Sequence, residues 1–319
     1  MYDVLAINLG GTSIKWGCPA RGADFPIATM PSPKSPAELT AVLTRIRSDV
    51  ARPASAVALG FPGPIAAGTT LSQAPTLWPG VDLHRFDLLA TLRSVFPDAG
   101  LHVINDVSAY GAFLLARGLR DFCVLNIGSG IGSKIYVEGA EVNGPRGRGG
   151  EIGHWRDAGA PADLRCDCGG TGHVGAVSSG RGVQRFAALR ASQAPERFRA
   201  SLLGGRRPID LTAEEVAAAV RAGDGFALDI LAEAMLPLAR ATALLHVALG
   251  CERYVLVGGF AEAVGDALPR LLARGAAAHC WDSGHDWGQA FEVLRDEVRT
   301  SLLGLHHHAL TRRDLTLCA

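Results

Sequence analysis

Four side chains between residues 154 and 173 are of types that hold a transition metal: His154, Cys166, Cys168 and His173. Two thiolates and two imidazoles are borderline-soft ligands suited to tetrahedral Zn²⁺. A site closed by four protein ligands is structural, because it leaves no position for a catalytic water. The Cys-x-Cys spacing is tighter than in the usual finger, and the alternative is a loop whose cysteines are incidental. The 319-residue chain has seven cysteines, an odd number that does not suggest a disulfide framework.

Glycine supplies a second kind of chemistry. Thirty-nine of the 319 residues are glycine, above the usual share of about 7%, and they cluster. Gly10-Gly11-Thr12 and Gly128-Ser129-Gly130-Ile131-Gly132 each follow an apolar run. Their backbone N–H groups, with no Cβ in the way, make nests suited to phosphate oxygens. Either alone could be an ordinary turn between strands. With the run that ends in Gly258-Gly259 they form a set: two loops for phosphates and one for a nucleoside. No Walker A sequence is present, so this is not a P-loop protein. Residues Gly170 to Gly175 satisfy G-x-G-x-x-G, but they follow LRCDCG rather than an apolar strand. Without a βαβ setting that pattern is not a dinucleotide fingerprint.

Asn105-Asp106 closes one strand-like run and opens a helix-like one, where α/β proteins place functional polar groups. The plain alternative is an aspartate that serves only as a helix cap. Glu151 and His154, three apart after the glycine run that ends at Gly150, could point the same way and hydrogen-bond a polyol.

These residues need elements to position them. VLAINL, a glycine turn and IKWGC read as a β-hairpin. Ser35-Pro36 with Glu38 opens a helix, matching cap and first-turn preferences. The pattern predicts further helices over residues 82–95, 109–119, 182–190, 212–222, 226–249 and 262–274, and a last one from 301; strands fall at AVALGF, LHVI, YVLVGG and FEVL. At Phe122 the opening pattern restarts: Asn8-Leu9-Gly10 falls on Asn126-Ile127-Gly128 at an offset of 118. Alternating strands and helices mean α/β, and the repeat predicts two similar lobes facing one another across a cleft.

Composition narrows the function classes. Thirty-one basic and 31 acidic residues balance, which argues against a dedicated nucleic-acid or membrane-surface binder. No uncharged apolar run reaches 18 residues, and Asp3 precedes the first strand, so neither a spanning helix nor a signal peptide is read; the expected location is cytoplasmic. Basic charge is nearly all arginine. Only Lys15, Lys34 and Lys134 are lysines, and two of these fall in the two glycine-rich hairpins, although a genome-wide arginine bias accounts for the rarity.

Taken in order, the motifs resemble the ROK family of sugar kinases, in the actin/hexokinase-like superfamily. INLGGTSIKWG resembles its first phosphate loop, LGFPGPI its sugar loop, INDVSAYGA its Asn-Asp segment and NIGSGIGSKIYVEGAEVNG its second phosphate loop. GRGGEIGHW and CDCGGTGHVG resemble its sugar-and-zinc region, and VLVGGFAEA its adenosine loop. The resemblance implies ATP, catalytic Mg²⁺ and structural Zn²⁺ as cofactors, a sugar or cyclitol substrate and a homodimer. The family's repressor branch carries a DNA-binding domain ahead of the first loop; none is read here, so no nucleic-acid partner is expected. Carried over, Asp106 is the general base. Gly63, Asn105, Glu151 and His154 hold the sugar, Gly10, Gly11, Thr12, Ser129 and Gly130 the phosphates, and Gly258 and Gly259 the adenosine side. His154 serves zinc through one ring nitrogen and sugar through the other. The implied fold is two actin-like (ribonuclease H-like) lobes, residues 1–118 and 119–300, with a small zinc-binding insertion at 154–173 and the helix of 301–319 returning to the first lobe.

Three positions depart from the family pattern. Asn8 stands where an aspartate normally helps hold Mg²⁺, which weakens metal positioning. His173 replaces a zinc cysteine and still supplies a ligand. Gly175 stands where a glutamate usually binds the sugar near C1 and C2. Its loss makes an unusual sugar or a C7-cyclitol plausible, unless Arg156 or Asp157 replaces the contact. Asn8 and Gly175 together also leave room for a catalytically weak sugar-binding regulator.

Overall fold

A computed structural model describes residues 4–19, 24–66, 70–71, 73–281 and 284–311. The chain divides into two compact units: residues 1–120 with 139–149 and 296–319, and residues 121–138 with 150–295.

The first unit is built on β1 (Val4–Leu9), β2 (Ser13–Gly17), β3 (Ala28–Pro31), α1 (Pro36–Asp49), β4 (Ala56–Phe61), β5 (Ile65–Ala66), β6 (Thr70–Leu71), α2 (Leu88–Val95), β7 (Gly100–Asn105) and α3 (Asp106–Ala116). Its sheet runs β3–β2–β1–β4–β7. β1 pairs antiparallel with β2 and parallel with β4, which pairs parallel with β7. All six residues of β1 are buried, as both faces of the sheet are covered. Leu5, Ile7 and Leu9 pack with Leu39, Leu43 and Ile46 of α1 and with Leu88 and Leu92 of α2. The opposite face is made of small residues, Ala6, Ala56 and Ala58, packed with Ala109, Leu302 and Leu305.

The second unit opens with the repeat, β8 (Phe122–Ile127) and β9 (Ile131–Val137); β10 (Ala140–Glu141) falls in the 139–149 segment. Then come α4 (Val174–Ser178), α5 (Gly180–Gln193), α6 (Pro195–Arg199), α7 (Ala213–Arg221), α8 (Gly225–Leu249), β11 (Tyr254–Val257), α9 (Gly259–Val264), α10 (Ala267–Ala277), α11 (Trp287–Ala290) and β12 (Phe291–Val293); α12 (Glu297–Thr311) belongs to the first unit. Within the second unit the sheet runs β9–β8–β11–β12, antiparallel then parallel as in the first. Among the described residues α8 alone is long and apolar enough to cross a membrane, but 67% of its apolar window is buried in this unit.

The repeat reaches further than its glycine turns. A Cβ on Gly60 would sit 2.9 Å from Asn8 Oδ1, and one on Gly258 would sit 2.5 Å from Asn126 Oδ1. In each unit the asparagine of the opening strand therefore occupies the space that a glycine leaves at or just past the end of the parallel neighbour.

Several predicted boundaries move, each for a local reason. The helix expected over 82–95 begins only at Leu88, because Asp87 caps it and Asp82 holds a turn by accepting from the His84 N–H, a competition with helix that Asp favours. The segment expected as one helix over 262–274 is two, split at Gly265, whose φ of +70 and ψ of −143 leave the helical path in a conformation open to glycine. α12 begins at Glu297 rather than 301, and residues 312–319 lie outside the described residues.

Candidate active site and metal centre

Because β1, β4 and β7 run parallel, Gly10, Gly63 and Asn105-Asp106 all follow the same end of the first sheet. Asn105 organises this end. Its Oδ1 accepts from the N–H of Val107 at 2.9 Å and of Ser108 at 3.4 Å, and its Nδ2 donates to the Gly63 carbonyl at 3.0 Å. Asn105, not Asp106, is the cap of α3. That leaves Asp106 as the first helical residue, half-buried, where the helix dipole favours a carboxylate. Gly63 has φ +114, and a Cβ there would overlap the Gln73 carbonyl, so only glycine turns its own carbonyl to Asn105. Asn8 is 7% exposed, and its buried Oδ1 has no hydrogen-bond partner among the described residues. The Cβ position of Gly60 that lies against Asn8 is also 3.4 Å from Asp106 Cα, so the orphaned acceptor and the carboxylate-bearing residue are neighbours.

The first glycine turn is braced. The Gly10 N–H donates to Ser13 O at 3.0 Å, and the Ser32 hydroxyl donates to Gly10 O at 2.6 Å. Gly10 thus shapes the turn with its own N–H already engaged. A Cβ on Gly11 would be 2.7 Å from Thr76 O, and Thr12 is exposed.

In the second unit Gly128–Gly130 and Gly258 likewise follow one sheet end. Gly258, at φ +103, lies against Asn126 and Ile127, whereas the Cβ side of Gly259 is open. Two residues missed in the sequence reading support this loop. The Gly180 N–H donates to Gly128 O at 2.9 Å, and Ser179 caps α5 by accepting from Gly182 N at 3.0 Å. The helix expected from residue 182 therefore starts at Gly180. Ser179, read as an N-cap, is the signal that places the start correctly.

The metal-type side chains converge. The candidate ligand atoms of His154, Cys166, Cys168 and His173 all lie within 4.8 Å of one another. Cys166 Sγ is 3.8 Å from His154 Nδ1, and Cys168 Sγ is 3.3 Å from His173 Nδ1. Burial lowers the pKa of both imidazoles, with His154 and Arg156 adding to the effect at His173, so both favour the neutral, ligating form. Burial pushes the Cys166 thiol up to about 11; a bound cation would offset the cost of its thiolate there. The cluster joins two segments already tied by backbone bonds, Asp157 N–H to Gly172 O at 2.9 Å and Val174 N–H to Trp155 O at 3.0 Å. Glu151 precedes a one-turn 3₁₀ helix, Ile152–His154, so one short segment carries both the carboxylate and a metal-type imidazole. Asp157 is committed elsewhere: it accepts from Arg240 Nε at 2.9 Å and from Gly159 N at 2.8 Å. It is thus poorly placed to replace a lost sugar contact.

The sequence pattern of the ROK family matches residues 4–280. The chain belongs to the ROK family. Among ROK relatives it is 37% identical over 297 residues to a C(7)-cyclitol 7-kinase of Streptomyces hygroscopicus subsp. limoneus, covering 85% of this chain and 82% of that one. It is 33% identical to a 2-epi-5-epi-valiolone 7-kinase of Actinoplanes sp., covering 82% of this chain and 78% of the relative. A solved ROK structure, a glucokinase from Streptomyces griseus in complex with glucose and AMPPNP, superposes with a TM-score of 0.77 at 22% identity, over 95% of this chain and 97% of the other. The α/β fold with two mixed sheets is therefore the ROK fold.

Proposed function

We propose that this ROK protein transfers the γ-phosphoryl group of ATP to a hydroxyl of a monosaccharide-like polyol, with a C7-cyclitol as preferred acceptor. The observation that carries this reading is the 37% identity, across more than four-fifths of both chains, to a C(7)-cyclitol 7-kinase. Gly175 supports it. A Cβ there would stand 3.1 Å from the Gly153 carbonyl, so a glutamate at this position would press on the turn that carries His154.

In this reading the attacking hydroxyl loses its proton to the Asp106 carboxylate as its oxygen bonds to the γ-phosphorus and ADP departs. Phosphoryl transfer asks little covalent chemistry of the protein; positioning and charge stabilisation dominate. Asn105 holds Asp106 at the head of α3 and keeps the Gly63 carbonyl turned toward the same end of the sheet. Glu151 accepts from substrate hydroxyls, and His154, with one ring nitrogen turned to the metal cluster, donates the N–H of the other to a substrate oxygen. Gly11, Thr12, Ser129 and Gly130 offer N–H groups to phosphates, Gly10 sets the first turn, and Gly258 and Gly259 admit the nucleoside. Mg²⁺, when bound with ATP, would neutralise phosphate charge. The orphaned Asn8 Oδ1 fits a role beside it, as a neutral acceptor that holds a hydrated cation less tightly than a carboxylate. His154, Cys166, Cys168 and His173 suit a structural Zn²⁺ by donor type and spacing, and the zinc-binding insertion is part of this proposal.

The test is a panel of hexoses, amino sugars and C7-cyclitols with coupled ADP detection. Loss of one charged hydrogen bond is worth about 1.5–3 kcal/mol, so glucose is expected to fall about 10–100-fold below the best cyclitol in kcat/KM. Glucose turnover above about 10⁵ M⁻¹s⁻¹ would remove the cyclitol preference. Polyol binding without any ADP release would favour the regulator that Asn8 and Gly175 suggest.

A further inference from the structure

Lys134 is one of three lysines in the chain and lies in β9, immediately after the second glycine turn. Its side chain is 1% exposed, and its Nζ stands 3.5 Å from Glu151 Oε1, whose side chain is 25% exposed. A lysine is rarely buried without a paired carboxylate, because removing an ammonium from water is costly. The adjoining residues bind the same segment. The Ser133 hydroxyl donates to the Gly150 carbonyl, and Gly150, at φ +80, lies so close that a Cβ would be 2.7 Å from Ser133 O and 3.2 Å from Lys134 Cα. Two neighbours in β9 thus grip residues 150–151, Ser133 by the backbone and Lys134 by the side chain.

An exposed glutamate rotates freely and prefers water to a hydroxyl-rich ligand. One backed by a buried ammonium keeps its orientation, and its charge is already balanced. We propose that Lys134 is a positioning and specificity residue, which turns Glu151 toward the substrate and neutralises it, so that the site favours neutral polyols over aminated ones. The inference rests on the reading of Glu151 as a substrate ligand. An amino group on the substrate carries its own positive charge and gains most from a carboxylate without a counter-ion. With Lys134 behind Glu151, that gain is largely cancelled, whereas a neutral diol still donates its hydrogen bonds.

The experiment compares the full-length wild type with Lys134→Met, Glu151→Gln and the double variant. The substrates are the best neutral polyol of the panel and its amino-deoxy analogue. Lys134→Met is expected to raise the KM for the neutral polyol about tenfold, with kcat and the KM for ATP within about twofold. The amino-to-neutral ratio of kcat/KM should rise about tenfold in Lys134→Met and fall in Glu151→Gln, where the ammonium loses its partner. The double variant should bind the neutral polyol no more weakly than Glu151→Gln. An unchanged ratio in Lys134→Met, additive losses in the double variant, or a KM for ATP that rises in step would each overturn the proposal. If Lys134→Met does not fold, the ratio in Glu151→Gln decides, because a fall supports the pair and a rise or no change defeats it. Wild-type protein that turns over no polyol overturns both this inference and the functional reading; turnover with no effect of Lys134 overturns this inference alone.

Discussion

At the head of α3 the half-buried carboxylate of Asp106 sits in the first turn, and the preceding residue, Asn105, is the helix cap. Asn105 takes both amides of the first turn of α3, at 2.9 and 3.4 Å, so the aspartate is not required to hold the helix start. This geometry answers the alternative open in the sequence, that Asp106 is a cap and nothing more. It also sets a test, since Asp106→Asn keeps the size of the side chain while removing its negative charge and its basicity. Turnover is expected to fall about 10²–10⁴-fold, the usual worth of a general base, while the circular dichroism spectrum and melting temperature stay near those of the wild type. A folded variant with near-normal turnover would take the general-base role away from Asp106. The residue types were legible in the sequence; which of the two adjacent residues caps the helix was not, because asparagine and aspartate are equally good caps.

At the scale of elements, the turn Ile152–His154 and the 166–173 segment form one piece, joined by backbone bonds and by the cluster of two histidines and two cysteines. The four ligand types and their spacing were readable, and the structure brings all four together. We expect one zinc per chain in freshly purified protein, measured by plasma emission spectrometry. Stripping it with a chelator should loosen the segment that carries Glu151 and weaken polyol binding more than ATP binding, both measured by calorimetry. Protein without stoichiometric zinc, or equal losses for both ligands, would contradict this. The helix starts at Asp106 and Gly180 follow the same lesson: a cap side chain sets the boundary, and reading apolar periodicity alone places it two or three residues late.

For the whole molecule, the return of the chain to the first unit depends on one residue without a side chain. α12 packs along α3 and on β1 and β4, and a Cβ on Gly304 would overlap the carbonyl oxygen of Ala109. The small residues Ala6, Ala56, Ala58 and Ala109 on the facing surfaces serve the same close approach. Gly304→Ala would gain about 1 kcal/mol in helix propensity, but the overlap is with backbone, and overpacking typically costs about 1–3 kcal/mol. The clash should win, and differential scanning calorimetry is expected to show a melting temperature lower by a few degrees. A higher melting temperature would show that α12 has room to move away at little cost.

What the sequence by itself determined is the set of local signals: apolar strands that end in glycine turns, a repeat offset by 118 residues, and the metal-type side chains. These are visible because each depends on residues close together in the chain, where type and spacing constrain the backbone directly. Only the tertiary structure decided which distant side chains meet. Lys134 reaches Glu151 across 17 positions, Asp157 is taken by Arg240 across 83, and Asn8 lies where Gly60 leaves room for it. Such pairings depend on strand register and on the absence of a Cβ in a neighbouring strand, and neither leaves a mark within a short window of sequence.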